Sequence, residues 1–281
     1  MSMAIQEGPG QLAIGIDFGG SGIKAAVVDT RTGQFHGDRI RIPTPQPSAP
    51  REVVAVMDSL VGRLLDALAA RQDGPVSVAD AAALPVGVGI PSATRSGTVL
   101  TAANIDAAWI GFPAERELTL VLGRPVAIGN DADVAGLAEL TLGAGRDQRG
   151  TIIVLTIGTG VGSALFVDGR LVPNTELGHL ELNGGDAEVR VAESARDRLD
   201  LNWKEWAAGF DEYLRMLERL LWPDLFILGG GASKRADNYL QYLTAKTPIV
   251  VATLKNNAGI VGAALLAQER RSREAVAARA R

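Results

Sequence analysis

The stretch GIDFGGSGIKAAVVD, Gly15–Asp29, sets three glycines and a serine between two apolar runs, with one acid, Asp17, and one base, Lys24. Short apolar runs bounded by glycine read as strands joined by a tight turn. Bare amides in such a turn form a concavity that takes anions. A side chain at Gly19 or Gly20 would block close approach. The stretch has an echo at TIIVLTIGTGVGSALFVDGRLV, 151–172. Aligning Asp17 with Thr156 superposes Gly19 on Gly158, Ala25 on Ala164, Val28 on Val167 and Asp29 on Asp168. The chain therefore reads as two similar halves, each opening with a β-hairpin. Two glycine hairpins point to two jaws on one phosphorylated ligand: the glycines and Lys24 meet phosphate, and Asp17 holds Mg²⁺, through water. Neither GxxxxGK[ST] nor GxGxxG is present, so this is not a P-loop or a dinucleotide fold.

Outward from the hairpins the pattern is α/β. REVVAVMDSLVGRLLDALAAR, 51–71, has helical spacing, and LPVGVGIP and RPVAIGN are short strands. In the second half EWAAGFDEYLRMLERLLW reads as a helix, PDLFILGGG as a buried strand and ASKRADNYLQYLTAK as a helix. TPIVVAT follows as a strand, and AGIVGAALLAQER as a last helix with a solvated extension from Arg270. PTPQPSAP, 43–50, is a stiff connector within the first half. MSMAIQEGPGQ, 1–11, reads as a loose tail.

The 281 residues suit one large or two medium domains. A net charge of −4 argues against a general nucleic-acid partner. No apolar run is long enough to span a bilayer, and the first residues lack a signal-peptide pattern, so the expected compartment is the cytoplasm. There is no cysteine, which removes disulfides, thiolate chemistry and cysteine-held zinc. Residues 134–281 hold 18 basic and 18 acidic side chains against 10 and 14 before them, so the second half is richer in cations.

GIDFGGSGIKAAVVD, NDADVAGLAE, TIGTGVGSALFVDG, ELGH and LGGGAS, in this order and spacing, resemble the ROK family of bacterial sugar kinases. ELGHLELNGGDAE, LNWKEWA and TLKNNAGIVGAA are similar, more narrowly, to its actinobacterial polyphosphate glucokinases, which include polyphosphate/ATP glucomannokinases. The resemblance implies an actin/hexokinase-like (ribonuclease H-like) duplicated two-domain ATPase fold with the active site in an interdomain cleft. The expected domains are 1–133 and 134–281, with the C-terminal helix packing back on the first. It implies phosphorylation of glucose, and in some relatives mannose, at the 6-hydroxyl by polyphosphate and ATP with Mg²⁺, by a homodimer. Most of the family places a cysteine-rich zinc motif after the GH histidine. Here no zinc is expected, and some other contact must orient His179.

Asn130 and Asp131 follow a strand and open a helix, and both residue types cap helices well. The resemblance makes Asp131 the catalytic base. It places Asn104, Asn130, Glu176, His179 and Glu188 on the sugar, with Glu193 as the fallback for Glu188. Trp109 is expected to pack its loop, and His36 to sit at the surface. The donor phosphates fall to Asp17, Gly19, Gly20, Ser21 and Lys24 of the first hairpin and to Thr156, Gly158, Thr159 and Gly160 of the second. Gly229, Gly230 and Gly231 approach the nucleotide or polyphosphate, with Lys234, Lys204 and Lys255 as an outward basic track. A strictly ATP-dependent sugar kinase is the first alternative. A sugar-sensing repressor needs a DNA-binding domain, and only about ten residues precede the first strand. A catalytically dead sensor is at odds with the presence of Asp131 and both turns.

Overall fold

Two glycine hairpins lead two sheets of matching design. The computed structural model describes residues 11–70 and 83–279, so the tail reading for residues 1–10 lies outside the described residues. The first sheet holds β1 (Leu12–Gly19), β2 (Gly22–Asp29), β3 (Ile40–Ile42), β4 (Val86–Ile90) and β7 (Val126–Asn130), in the order β3-β2-β1-β4-β7. The short pair β5 (Thr94–Arg95) and β6 (Thr98–Val99) stands apart. The second sheet holds β8 (Thr151–Ile157), β9 (Val161–Val167), β10 (Arg170–Val172), β11 (Leu225–Gly230) and β12 (Ile249–Val251), in the order β10-β9-β8-β11-β12. The orders correspond strand for strand, and β8 and β9 fall where the internal repeat puts them. In each sheet the hairpin and the short edge strand beside it are antiparallel, and the remaining two pairs are parallel. Strands covered on both faces read as continuous apolar runs, as LAIGIDFG and TIIVLTI do.

Contacts divide the chain into two units. One comprises the described residues up to Asp131 together with Gly259 onward; the other is Ala132–Ala258. In the first unit, α1 (Pro50–Ala69) starts with proline, whose fixed φ suits a first helical position. It buries Val53, Val54, Met57, Leu60, Val61, Leu64 and Leu68, a stripe at helical spacing. The shorter α2 (Ala114–Leu122) was not foreseen; it ends at Gly123 in the left-handed conformation, a usual helix stop. The last helix, α7 (Ala258–Arg279), lies directly on the first sheet. Gly15 and Gly87 are register partners on β1 and β4. A Cβ at either would collide with a backbone carbonyl of this helix, Ile260 for Gly15 and Ala263 for Gly87. Residues 270–278 of it are exposed, with Arg270 paired to Glu115 and Glu274.

In the second unit, α3 (Asp131–Leu142) packs its Gly136 against Ala164 and Phe166 of β9. Its buried Glu139 accepts hydrogen bonds from the backbone N–H groups of Ala144 (2.9 Å), Thr253 (3.1 Å) and Leu254 (2.7 Å). Two short helices, α4 (Glu188–Val191) and α5 (Glu193–Arg198), precede α6 (Trp203–Leu221). That helix starts in a capping box of Asn202 and Glu205, in which each side chain satisfies the other's backbone N–H. Where one helix was expected over ASKRADNYLQYLTAK, the structure has two 3₁₀ segments, Ala232–Asn238 and Leu240–Tyr242, and Arg235 leaves helical geometry. The cause is Tyr239. Its buried ring packs on Trp203, Trp206 and Phe210, and that packing outweighs local helix propensity at its backbone.

Candidate active site

In the first hairpin Gly19 pairs with Gly22, leaving Gly20 and Ser21 as a two-residue turn. Asp17 and Lys24 are register partners, and the Lys24 ammonium donates to the Asp17 carboxylate at 2.8 Å. Lys24 in turn faces Arg41 on β3. Arg41 donates to the Ser21 carbonyl (2.8 Å) and the Thr44 hydroxyl to that of Gly19 (2.6 Å). The turn is thus fixed by its carbonyls. Nothing lies within 4 Å of a Cβ built on Gly20. Arg41 and Thr44 had no signal in the sequence, because Arg41 arrives on a three-residue strand and Thr44 from the proline-rich connector.

Mg²⁺ dehydrates reluctantly and is usually held by one or two carboxylates plus substrate phosphates. Asp17 is one half-buried carboxylate beside a phosphate-type turn, and among the described residues no group of three or more His, Asp or Glu side chains is arranged to hold a metal ion by itself. This donor set fits a Mg²⁺ that arrives with the phosphates.

The second hairpin turn, Gly158–Gly160, is held from below. Ser194 donates its N–H to the Gly158 carbonyl (3.1 Å) and its hydroxyl to that of Thr159 (2.6 Å). Glu188 accepts the Val161 N–H at 3.1 Å. Gly229 and Gly230 end β11 beside Thr156 and Ile157 of β8, so these two predicted donor segments lie side by side. Gly230 has φ +77° and a Cβ there would strike the Ile157 backbone, so only glycine fits. Gly231 faces the Glu193 carboxylate. Lys204, Lys234 and Lys255 are exposed on three separate elements: the first turn of α6, the 3₁₀ segment after β11, and the turn before α7.

Glu176 and His179 flank a single 3₁₀ turn, Leu177–His179. The Ser163 hydroxyl, which accepts the Leu177 N–H at 2.9 Å, fixes its start. The His179 Nδ1 lies 2.8 Å from Asp186 and 4.0 Å from Glu188. The hydrogen bond to Asp186 is the main cause that raises the His179 pKa; burial opposes it, and the charges of Glu188, Asp186 and Glu176 add to it. The structure therefore brings Glu188 to His179 and leaves Glu193 beside Gly231. Asp186 is the orienting contact that the cysteine-free sequence required, but nothing in the spacing singled it out among the nearby acids.

Asp131 is the first residue of α3 and follows Asn130, whose amide donates to the Ser92 carbonyl at 3.3 Å. Asn104 is exposed in its loop. Trp109 is fully buried, donates to the Ser48 carbonyl (2.8 Å) and packs on Phe18 and Phe112. Asp133, two residues past Asp131 on the same helix, is buried and accepts the Asn174 N–H at 2.8 Å. Burial pushes its pKa up to about 7; the Asn174 bond opposes the rise and the Glu176 charge adds to it.

The Asp133 carboxyl binds its proton more tightly folded than unfolded. Stability therefore falls as pH rises from the ordinary carboxylate range to about 7, and the loss is complete above that. Asp133→Asn should stabilise the protein at pH 8, by at most about 4 kcal/mol, and so raise Tm there, and change little at pH 4. Thermal melts of both proteins across that range check it. A stabilisation equal at both pH values would contradict it.

The ROK family model matches residues 13–197. The chain belongs to the ROK family. The "Polyphosphate glucokinase" of Mycobacterium tuberculosis (strain CDC 1551 / Oshkosh) is 44% identical over 252 residues, 89% of each chain. The inorganic polyphosphate/ATP-glucomannokinase of Arthrobacter sp. strain KM is 47% identical, with a TM-score of 0.84 over 92% of this chain and 99% of that one. A ROK family glucokinase from Streptomyces griseus, solved with glucose and AMPPNP, shares the fold at 24% identity, with a TM-score of 0.74 over 92% of this chain and 99% of that one. The duplicated sheets are thus those of the actin/hexokinase-like sugar kinases.

In this ROK chain Asp186→Asn should lower the His179 pKa. The pair contributes stability below the ordinary imidazole value, about 6.5, and loses it as pH rises through the raised one. With two histidines in the chain, imidazole proton resonances can be followed individually. The His179 midpoint should move to lower pH. An unmoved His179 midpoint would show that Asp186 does not hold the ring.

Proposed function

We propose that this chain transfers the terminal phosphoryl group of inorganic polyphosphate, and of ATP, to the 6-hydroxyl of glucose. The observation that carries the reading is the pair of glycine turns on corresponding strands, with Asp17 and Lys24 on one, in a chain so similar to two polyphosphate-using kinases. Phosphoryl transfer is loose, so positioning and charge stabilisation supply most of the acceleration.

In this reading Glu176, His179 and Glu188 hold sugar hydroxyls, joined by Asn104 and Asn130. Asp131 accepts the 6-hydroxyl proton as that oxygen forms its bond to phosphorus. The bond from phosphorus to the bridging oxygen breaks, and the leaving phosphate carries away the electron pair. The amides of 19–21 and 158–160 and the Lys24 ammonium meet the transferred group's oxygens, and Gly229–Gly231 admit the donor's next phosphates. Mg²⁺, held through Asp17, would neutralise phosphate charge. Lys204, Lys234 and Lys255 favour a polyanionic donor by their charge. The family likeness also supports mannose as a second acceptor and a homodimer working in the cytoplasm; a mannose assay and sedimentation check the first two. Among the described residues no helix is long and apolar enough to cross a membrane.

A coupled assay for glucose 6-phosphate, with glucose, Mg²⁺ and either donor, tests the reading. Turnover with long-chain polyphosphate is the expected result. Turnover with ATP alone would make this a strictly ATP-dependent kinase, and turnover with neither would remove the kinase reading.

A further inference from the structure

We propose that a basic pocket on the first unit, lined by Arg39, Arg41 and Arg63, binds the phosphates of a polyphosphate chain that lie beyond the phosphate turn. The pocket has a volume of about 580 Å³, and its walls are β2, β3 and α1, with the segment that joins β2 to β3. Val27, Ile40, Leu64 and Leu68 contribute an apolar floor; the three arginines and His36 contribute the donors. Asp38 is the one acid in its lining, so the pocket carries a net charge of about +2 with the imidazole neutral.

Three observations argue for a chain of phosphates here. First, Arg41 belongs to both places: it lines this pocket, and it donates to the Ser21 carbonyl of the turn. Second, Asp17, Lys24 and Arg41 are successive register partners across β1, β2 and β3. Strands lie about 4.8 Å apart and register partners share a face, so Lys24 and Arg41 form a basic path from the turn to the edge strand, where Arg41 lines the pocket. Third, neither Arg41 nor Arg63 forms an ion pair among the described residues. A second cavity of the same unit, about 740 Å³, has Arg116, Arg124 and Arg270 in its lining, but there Arg270 already pairs with Glu115 and Glu274. Guanidinium forks match phosphate oxygens in geometry and stay charged at any working pH. A linear polyanion with about one charge per phosphate suits such a path. The pocket left no signal in the sequence, because three arginines that stand 39, 41 and 63 in the chain meet only through β3 and α1.

The inference rests on the reading that the turn at 19–22 receives donor phosphates. Arg39→Glu/Arg63→Glu tests it and leaves Arg41 and the turn in place. The KM for long-chain polyphosphate should rise at least tenfold, while the KM values for ATP and glucose stay within twofold. Removing two cations should also flatten the salt dependence of polyphosphate binding, by about 1–2 in the slope of log K against log salt. Binding of fluorescent long-chain polyphosphate, without glucose, is titrated in parallel. The ATP-driven rate reports folding, and Arg63→Gln alone, with a smaller change in the same direction, replaces the double variant if that rate collapses. If the wild type turns over polyphosphate and the variant keeps its KM and salt slope, the pocket is not the site and the kinase reading stands. If the wild type uses ATP only, the donor reading fails, and the titration decides the pocket: loss of binding in the variant supports it, unchanged binding overturns it. Equally tight binding of a single-stranded oligonucleotide would mark an unspecific basic surface and overturn it too.

Discussion

Asp131→Asn is expected to lower kcat for glucose phosphorylation by about 10²–10⁴-fold with either donor, the usual worth of a positioned general base. The amide has the shape of the carboxyl group and cannot take the proton of the attacking hydroxyl. It still suits the first position of α3, where Asn and Asp are interchangeable in their local hydrogen bonding. Glucose binding, followed by tryptophan fluorescence or calorimetry, should therefore change less than threefold. A variant with more than a tenth of the wild-type kcat would assign the base elsewhere.

Gly87→Val should cost about 3 kcal/mol or more of stability, because a branched side chain has to be placed where the Ala263 carbonyl lies. The obstacle is backbone of a 22-residue helix, which cannot step aside as a side chain could. For a chain of this size that corresponds to a fall in Tm of about 6–12 °C. Gly20→Ala is the matched comparison. Nothing surrounds its Cβ, so its melt should stay within about 2 °C while the KM for donor phosphate rises. Equal melts for both variants would mean that α7 does not rest on Gly87.

Both hairpins were legible because strand, glycine turn and strand recur at a fixed offset, and a repeat carries more information than either copy. The main strands and the long amphipathic helices α1 and α6 followed from periodicity and glycine or proline punctuation. The edge strands β3 and β10 were not legible, since IRI and RLV each carry an arginine and lack the apolar run after proline that marks TPIVVAT. The segment after Gly231 was misread as one helix because its spacing suits a helix and the ring of Tyr239 has its partners elsewhere in the chain. In the site, glycines and the NDAD and ELGH motifs were visible as residue types in a pattern. Thr44 and Ser194 act by reaching turns distant in the chain, and Asp186 is one of several acids within a few residues of His179, so none of the three contacts leaves a distinct trace in the sequence.

The glycine seats on β1 and β4 bear on the order in which the protein is made. One unit is a single uninterrupted segment, 132–258, so all its parts are available once that segment has left the ribosome. The other begins first and is finished last: its sheet is made early, and the helix that covers Gly15 and Gly87 comes after residue 258. Until then the apolar face of that sheet stays uncovered, a state prone to aggregation. Chains truncated after residue 258 and released from the ribosome should thus carry a protease-resistant middle segment and a protease-sensitive beginning, and the younger part of the molecule should be the first to reach its native form.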